Sequence, residues 1–183
     1  TYSTFETLNL GLGSGDDTLT VASTHGGATT LNTYGGEDTV NVQTIAGHTT
    51  INSGVDSDVI NVGSLSPATG GTVNGISAAL IVNGEDASDT LNVDDTGDIA
   101  ANTGYLTGTS LIGLGMSEGI TYYTFESLNL GLGAGADTLT VFGTHRGQTT
   151  LNSYSGEDTV NVRRISGQST INTGADADTL NVG

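Results

Sequence analysis

Apolar and polar residues alternate along many short segments of this chain. In the segment that begins at Thr18, the apolar residues Leu19 and Val21 are separated by Thr20. The same spacing of two recurs in later segments, at Val40, Val42, Ile60, Val62, Leu91 and Val93. This is the pattern of a β-strand with one face in a core and the other in solvent. Gly, Asp or Ser interrupts the segments about every ten residues and no segment has a helical period, so the sequence predicts an all-β fold.

The strand-like segments repeat at a short period. Seven of them share the loose form acid-Thr-apolar-x-Val and start at Asp17, Asp38, Asp58, Asp89, Asp137, Asp158 and Asp178. A second type lies between them and starts at Thr7, Thr30, Thr50, Ser127, Thr150 and Thr170. Most steps between acid-Thr segments are 20 or 21 residues long. We interpret the 31-residue step after Asp58 as one coil with a longer loop, and the 48-residue step after Asp89 as two coils.

A long period is superimposed on the short one. Residues 1–63 return as residues 121–183 without a gap, at an offset of 120 residues. We expect residues 1–120 to form one full solenoid repeat unit and residues 121–183 the first half of the next unit, stacked on the first as one continuous rod. Two strands in a coil of about 20 residues cannot bury an apolar face alone, whereas stacked coils cover one another. The predicted fold is therefore an all-β parallel β-solenoid (a β-helix or β-roll) with about 20 residues and two strands per coil.

The charge balance excludes several classes of partner. The 183 residues include 20 acids but only three strong bases, Arg146, Arg163 and Arg164, and the formal net charge is −17. Three Arg side chains are too few to displace the counterions of a nucleic acid or to dock on an anionic membrane surface. No apolar run approaches the roughly 20 residues of a membrane span, and the absence of Cys excludes disulfides and thiolate zinc sites. The chain begins without Met or a visible signal peptide, so we expect it to be part of a longer protein.

The turns before the acid-Thr segments concentrate the acids. They read, for example, GSGDD at residues 13–17 and GEDASD at residues 84–89, and stacked coils would place their carboxylates in one column. Two unit charges about 5 Å apart repel by roughly 0.8 kcal/mol in water and by about 3 kcal/mol at an effective dielectric constant of 20. A divalent cation between coils removes this repulsion, and carboxylates with Gly carbonyls suit calcium. The candidate Ca²⁺ ligands are Asp16, Asp17, Glu37, Asp38, Asp56, Asp58, Asp86, Asp89, Asp137, Glu157, Asp158, Asp176 and Asp178. The alternative is that these acids form turns without any metal.

One corner carries a family resemblance. Residues 12–20, LGSGDDTLT, fit the form x-G-x-G-x-D-x-U-x, which resembles the calcium-binding nonapeptide GGxGxDxUx of repeats-in-toxin (haemolysin-type) proteins. The resemblance implies a β-roll in which Asp side chains and Gly carbonyls bind calcium between coils. It assigns this role first to Asp17, Asp38, Asp137 and Asp158, and less directly to Asp58, Asp89 and Asp178. The doubled Gly is mostly missing and only alternate turns carry acids, so we expect metal on one side of the roll only. The 120-residue unit as a whole resembles the tandem arrays of giant bacterial surface proteins.

Other constellations point to other functions. His25, His48 and His145 are candidates for a catalytic base, but His48 is replaced by Gln168 in the second copy and no fixed catalytic partner is evident. We therefore expect no enzymatic activity. The T-x-T pattern at residues 18–20 is found on ice-binding solenoids, but most coils have Thr-x-Asn, which is also the ordinary composition of a soluble strand face.

Aromatic residues and one further acidic loop complete the candidates. Tyr34 and Tyr154 occupy matching loops, where they can contact a surface glycan. Phe5 and Phe125 also match, and we expect them to fill the core near a coil edge. The loop DDTGD at residues 94–98 is expected to be solvated rather than to hold a separate ion.

These observations favour an extracellular structural or adhesive β-solenoid segment of a large repetitive bacterial surface or matrix protein, such as a filament or sheath, stabilised by calcium. A solenoid end exposes unpaired backbone groups, so end-to-end self-association into fibres is a second expectation. The alternative is a calcium-binding repeat module attached to a secreted enzyme or toxin. An adjoining catalytic domain would favour the module, and further 120-residue units would favour the fibre.

Overall fold

The computed structural model describes residues 5–183, and this part of the chain contains seventeen strands and no helix. In chain order the strands are β1 (Thr7–Ser14), β2 (Thr18–Val21), β3 (Ala28–Gly35), β4 (Thr39–Val42), β5 (Thr49–Asn52), β6 (Val59–Val62), β7 (Leu80–Asn83), β8 (Thr90–Asp94), β9 (Thr103–Leu106), β10 (Ser110–Gly113), β11 (Ile120–Tyr123), β12 (Ser127–Gly131), β13 (Thr138–Val141), β14 (Gln148–Asn152), β15 (Thr159–Val162), β16 (Ser169–Asn172) and β17 (Thr179–Val182). Most have four or five residues, so each strand contributes about two side chains to the core.

The strands form two long sheets. Sheet A has the order β1-β3-β5-β7-β11-β10-β9-β13-β15-β17, and sheet B has the order β2-β4-β6-β8-β12-β14-β16. Neighbouring strands are parallel except where β10 meets β9 and β11. Partners come from adjacent coils: Ile60 of β6 lies between Val40 of β4 and Leu91 of β8. The predicted all-β parallel solenoid with two strands per coil is confirmed.

The core and the outer faces follow the alternation in the sequence. Ile60 and Leu91 are both 0% exposed, and each buried aliphatic side chain contributes about 1.5–3 kcal/mol of hydrophobic stabilisation. The residues between them turn outward and are mainly Thr and Asn. The Nδ2 of Asn61 donates to Oδ1 of Asn41 at 2.9 Å, and the Nδ2 of Asn92 donates to Oδ1 of Asn61 at 2.8 Å. Asn is therefore suited to the outer face because its amide continues the hydrogen bonding from coil to coil.

The 31-residue step is one coil with a longer loop, as predicted. β7 pairs with β5 and β8 pairs with β6, so the loop at residues 63–79 leaves the stacking of the strands intact. Val73 and Ile76 of this loop are fully buried, and Ile76 forms a parallel bridge with Ile45. The loop thus extends the core at one edge of the coils.

The 48-residue step does not consist of two coils, so that interpretation is wrong. After β8 the chain passes through sheet A three times in succession, as β9, β10 and β11, and returns to sheet B only as β12. The Thr107 N–H donates to the Ser110 carbonyl at 2.8 Å and closes a tight hairpin around Gly108 and Thr109. Gly between two alternating segments is a hairpin signal, and the assumption of uniform coils obscured it.

The extra strands cause the two sequence copies to exchange sheets. β1 lies in sheet A and its copy β12 in sheet B, while β2 lies in sheet B and its copy β13 in sheet A. Each copy follows its strand by eleven steps along the strand order, and two of these steps, β9 to β10 and β10 to β11, stay within sheet A. The chain therefore crosses between the sheets an odd number of times, and every later pair is exchanged in the same way. Both sheets continue across the change of unit, because β11 pairs with β7 and β12 with β8. A turn that faces one edge of the stack in the first unit therefore faces the other edge in the second.

Phe5 and Phe125, which were both expected to fill the core, differ in their burial. Phe125 is 4% exposed and fills the core as predicted. Phe5 is 59% exposed, so the expectation is wrong for this residue. It precedes β1, and no strand lies beyond β1 in the described part of sheet A to cover it.

Residues 5–183 contain no helix with the length and apolarity needed to cross a membrane.

Candidate cation-binding columns

The acidic corners place their carboxylates in two rows. The inner row consists of the last acid of each corner, which directly precedes a strand and is buried or half-buried in most corners. Its members are Asp17, Asp38, Asp58, Asp89, Asp137, Asp158 and Asp178. The outer row consists of the exposed acids that precede them, which are Asp16, Glu37, Asp56, Asp86, Glu157 and Asp176. The two rows have different surroundings and are considered separately.

In the first unit the inner row is a ladder of hydrogen bonds from coil to coil. The Asp17 N–H donates to Oδ1 of Asp38 at 2.7 Å, and the Asp38 N–H donates to Oδ1 of Asp58 at 2.8 Å. The Asp58 N–H donates in turn to Oδ1 of Asp89 at 2.8 Å. The ladder ends at Glu126, whose Oε2 accepts from the Asp89 N–H at 2.8 Å. Each carboxylate replaces a strand hydrogen bond where the chain turns, which explains the need for an acid at this position.

The second unit builds the same ladder on the opposite edge. The Asn102 N–H donates to Oδ1 of Asp137 at 2.8 Å, and the Asp137 N–H donates to Oδ1 of Asp158 at 2.8 Å. The Asp158 N–H donates to Oδ1 of Asp178 at 3.0 Å. Corners of the first ladder lead from sheet A to sheet B, and those of the second lead from sheet B to sheet A, because the units exchange sheets. The expectation that the acids form one column on a single side is therefore wrong.

Sequence reasoning missed two residues that belong to the ladders. Glu126 precedes β12 as the inner Asp residues precede their strands, and ESLNL at residues 126–130 resembles the acid-Thr-apolar form. This similarity to the acid-Thr-apolar form is the feature of the sequence from which Glu126 could have been identified as a ladder residue. Asn102 contributes only its backbone N–H, so its side-chain identity contained no such information.

Four carboxylate oxygens of the inner row have no partner. They are the Oδ2 atoms of Asp38, Asp58, Asp89 and Asp158, which are inaccessible to solvent and receive no hydrogen bond. The hydroxyls near two of them, Ser53 at Asp58 and Ser153 at Asp158, donate to backbone carbonyls of the next coil. Asp137 differs, because the Gly133 N–H donates to its Oδ2 at 3.3 Å. A charged oxygen that is buried without a partner is destabilising by several kcal/mol. These four positions therefore require either a proton or a cation.

Burial favours the protonated form of four acids of this row. Burial raises the pKa of Asp89 to about 6; the Asp58 N–H lowers it, and the charges of Asp58 and Glu126 raise it. Burial likewise raises the pKa of Asp58, Asp137 and Asp158 above the ordinary value of Asp. Asp89 thus gains its proton near pH 6, while an ordinary Asp remains ionised at this pH.

The outer row faces solvent and contacts the backbone of the neighbouring coil. Oδ1 of Asp16 accepts from the Glu37 N–H at 3.0 Å, and Oδ2 of Asp56 accepts from the Gly36 N–H at 3.2 Å. Solvent and salt screen the repulsion among these exposed charges. The outer row therefore has much less need of a counterion than the inner row.

The columns fit calcium in donor type but only partly in arrangement. The donors are oxygens, as calcium prefers, and calcium requires six to eight of them. In residues 5–183, however, no three His, Cys, Asp or Glu side chains converge into a metal site. Neighbouring inner acids would supply only a minority of the ligands, and the rest would have to be backbone carbonyls and water. The thirteen predicted ligands do not form compact sites, because they are divided between two edges and two rows.

The acidic loop at residues 94–98 is buried at two of its acids, contrary to the expectation of a solvated loop. Asp95 is 1% exposed, and its Oδ1 accepts from the Val73 N–H at 2.9 Å. Asp98 is also buried, and its Oδ1 accepts from the Ala100 N–H at 2.8 Å. Burial raises the pKa of Asp95 to about 7, whereas hydrogen bonds, that of the Ala100 N–H above all, lower the pKa of Asp98. The long loop between β6 and β7 covers these acids, and the sequence did not reveal this packing.

His145 supports a turn. It is buried, its Nδ1 lies 3.1 Å from Oγ1 of Thr149, and its ring packs edge-on against Tyr122 with centroids 6.2 Å apart. Burial lowers the pKa of His145, and the nearby Glu126 carbonyl and carboxylate raise it. The ring therefore anchors the turn between β13 and β14. The expected lack of enzymatic activity stays a prediction.

Tyr34 and Tyr154 lie over glycines of a neighbouring coil. A Cβ on Gly11 would approach the Tyr34 ring to 2.9 Å, and one on Gly131 would approach the Tyr154 ring to 3.2 Å. The φ angles of the two Tyr residues are 79° and 69°, which bulky residues rarely adopt. Both rings are about half exposed. Contact with a glycan at these rings stays a prediction.

Comparisons of the chain with protein-family models, curated proteins and solved structures gave no match.

Proposed function

We propose that this chain is a structural segment of an extracellular rod or fibre in a large repetitive surface or matrix protein, stiffened by calcium along its two acidic columns. The observation that carries the proposal is the buried Oδ2 atom without a partner, which recurs at Asp38, Asp58, Asp89 and Asp158. A cation requirement that recurs from coil to coil suits a structural array better than a single binding event.

The stacking of the coils supports the structural part of the proposal. Each coil adds about 4.8 Å of length and buries its apolar face against its neighbours, so the length grows without a larger core. The outermost strands β1, β2, β16 and β17 pair on one side only in the described residues. Further coils, of the same chain or of a second copy, extend the rod by pairing there.

Calcium and protons compete for the same oxygens. The pKa of Asp89 is about 6, so at neutral pH this residue is mostly ionised and its Oδ2 needs a cation. Below pH 6 a proton satisfies the same oxygen. The proposal therefore requires a calcium effect that is large at neutral pH and small in acid.

The test is thermal unfolding at pH 7.5 and at pH 5, with calcium, with magnesium and with a chelator. At a calcium concentration of 100 times Kd, binding to the folded state alone adds about 2.7 kcal/mol to the free energy of unfolding. We expect a calcium-specific rise in Tm at pH 7.5, little effect of magnesium, and a smaller calcium effect at pH 5, where Asp89 is mostly protonated.

Matched variants locate the ions. The double variant Asp38→Asn, Asp58→Asn changes the inner row, and Glu37→Gln, Asp56→Asn removes the same charge from the outer row of the same corners. We expect the first to lose a large part of the calcium response, because Asp89 and Asp158 remain, and the second to retain all of it. A wild-type protein without any calcium response would show that these acids only form turns and that the rod depends on its aliphatic core alone.

A further inference from the structure

A cleft lies where the chain departs from the regular coil. Its volume is about 660 Å³, within the range of small-ligand sites. Its walls are the hairpin at residues 108–109, residues 122–126 at and after the end of β11, and the turns that follow β13 and β15. The hairpin belongs to the three successive strands of sheet A, so residues 1–63 have no equivalent of this wall.

The lining of the cleft includes two of the few positively charged side chains of this chain. All three strong bases lie between residues 146 and 164, and two of them, Arg146 and Arg164, line the cleft. Neither of these guanidinium groups forms an ion pair within the described residues. The first copy has Gly26 and Thr44 at the equivalent positions. Guanidinium groups bind carboxylates and sulfates through paired hydrogen bonds, so this is the place where a chain with a net charge of −17 can accept an anion.

The floor of the cleft is apolar and fixed. Phe125 and Tyr122 are almost fully buried, and the Tyr122 hydroxyl donates to the Thr107 carbonyl at 2.6 Å. The edge-on contact with His145 holds the Tyr122 ring from another side. Tyr123 is 47% exposed and offers a ring at the open side of the cleft. A rigid floor with an accessible aromatic ring favours a flat ligand over a single small ion.

The remaining polar groups specify the ligand further. The lining also includes Thr109 and Ser166, which have hydroxyl groups, and Glu126, which has a carboxylate. Oε2 of Glu126 already accepts from the Asp89 N–H, and its charge disfavours a multiply charged ion such as free phosphate. The same carboxylate can accept a hydrogen bond from a ligand hydroxyl. Arginines, hydroxyls, one carboxylate and an aromatic ring together match a ligand that has one anionic group, several hydroxyl groups and an apolar ring face.

We propose that this cleft binds an acidic saccharide, with the anionic group of a carboxylated sugar on Arg146 and Arg164 and the sugar ring against Tyr123. The site binds a different kind of ligand from the calcium columns and shares one residue with them, Glu126, which also ends the first ladder. It gives the rod one saccharide-binding position at the place where the two sequence copies exchange sheets.

The test is titration of the intact 183-residue chain with trigalacturonate and with the uncharged trigalactose, by calorimetry at low ionic strength. We expect trigalacturonate to bind at least tenfold more tightly than trigalactose. Inorganic phosphate and sulfate, the ions alone, are expected to bind at least tenfold more weakly than trigalacturonate. Equal binding of these ions would make the cleft a simple anion site and would overturn the saccharide proposal.

Variants that restore residues of the first copy provide matched controls. Arg146→Gly with Arg164→Thr should reduce trigalacturonate binding at least tenfold, and Tyr123→Ser should weaken it without changing the preference for the charged sugar. Arg163→Gln also restores the residue of the first copy, Gln43, but lies outside the lining and should change affinity less than twofold. Unchanged circular dichroism and Tm will show that the variants are folded. Equal losses in Arg163→Gln and in the double variant, or no measurable binding of trigalacturonate to the wild type, would refute the proposal.

Discussion

The substitution Asp89→Asn tests whether the inner row contains strained carboxylates. Asp89 is 0% exposed; its Oδ1 accepts from the Asp58 N–H at 2.8 Å, while its Oδ2 has no partner. Asn has the same shape and keeps the carbonyl acceptor for the Asp58 N–H. It removes the charge and places an NH2 group at the position of Oδ2, so the pH-dependent part of the effect isolates the electrostatic term from the ladder geometry.

The size and sign of the effect on the free energy of unfolding follow from the pKa of Asp89. The pKa of Asp89 rises from 3.8 to about 6 on folding, so between these two pH values the folded state binds more protons than the unfolded state. The contribution of this residue to the free energy of unfolding is therefore highest below pH 4 and falls as the pH rises through 6. At 1.36 kcal/mol per pH unit, the wild type loses about 3 kcal/mol from this residue between pH 4 and pH 8. The amide side chain of the variant does not titrate, so the variant gains about this amount relative to the wild type over the same range.

The assay is urea unfolding at several pH values from 4 to 8, with chelator present throughout. The difference between variant and wild type is compared across pH, because any constant effect of the buried amide then cancels. Asp86→Asn is the matched control, since it removes one charge from the exposed outer row of the same corner. It measures the general effect of net charge, and we expect it to show little dependence on pH over this range.

Two results would refute this reasoning. One is a difference between Asp89→Asn and wild type that stays constant from pH 4 to pH 8. The other is an equal pH dependence in Asp86→Asn, which would assign the effect to the overall charge and not to burial. An NMR titration of the Asp89 carboxyl carbon measures the pKa of about 6 directly.

Two further predictions concern the acids near the long loop and a glycine in the stack. Burial raises the pKa of Asp95 from 3.8 to about 7, so Asp95→Asn should gain up to about 4 kcal/mol relative to the wild type between pH 4 and pH 9. Asp98→Asn should instead be destabilising at neutral pH, because hydrogen bonds lower the pKa of Asp98 and the ionised carboxylate loses its stabilising effect only as the pH falls below 4. Urea unfolding across this pH range distinguishes the two variants. Effects of the same sign at neutral pH would contradict the opposite pKa shifts of Asp95 and Asp98. Gly54→Ala should destabilise by roughly 3 kcal/mol or more, because φ is +97° and the added Cβ would lie 1.9 Å from the Tyr34 carbonyl oxygen. Gly13→Ala is the control for Gly54→Ala, because φ of Gly13 is +136° but no atom lies within 4 Å of the added Cβ. The free energy of unfolding should fall by about 1 kcal/mol in this control. Equal losses of stability in the two variants would refute the role of close coil packing.

The sequence by itself determined the strands, the core and the repeated acid at each corner. Alternation with period two identifies a strand whether or not its neighbours are known, because it reflects which face of the strand is buried. For this reason Ile60 and Leu91 lie in the core as the pattern predicts. The acid that precedes a strand is also a local feature, since it replaces a backbone hydrogen bond at a turn.

Only the tertiary structure decided where these features lie relative to one another. The sheet that a strand joins depends on how many times the chain has crossed between the sheets. The hairpin at residues 107–110 belongs to three successive passes through sheet A, which make the number of crossings between a strand and its copy odd. Corresponding corners of the two copies therefore lie on opposite edges, although their sequences gave no sign of it. Asp95 is buried because a loop distant in sequence covers it. The cleft beside Arg146 and Arg164 likewise exists because that hairpin stands next to turns that follow it by more than thirty residues.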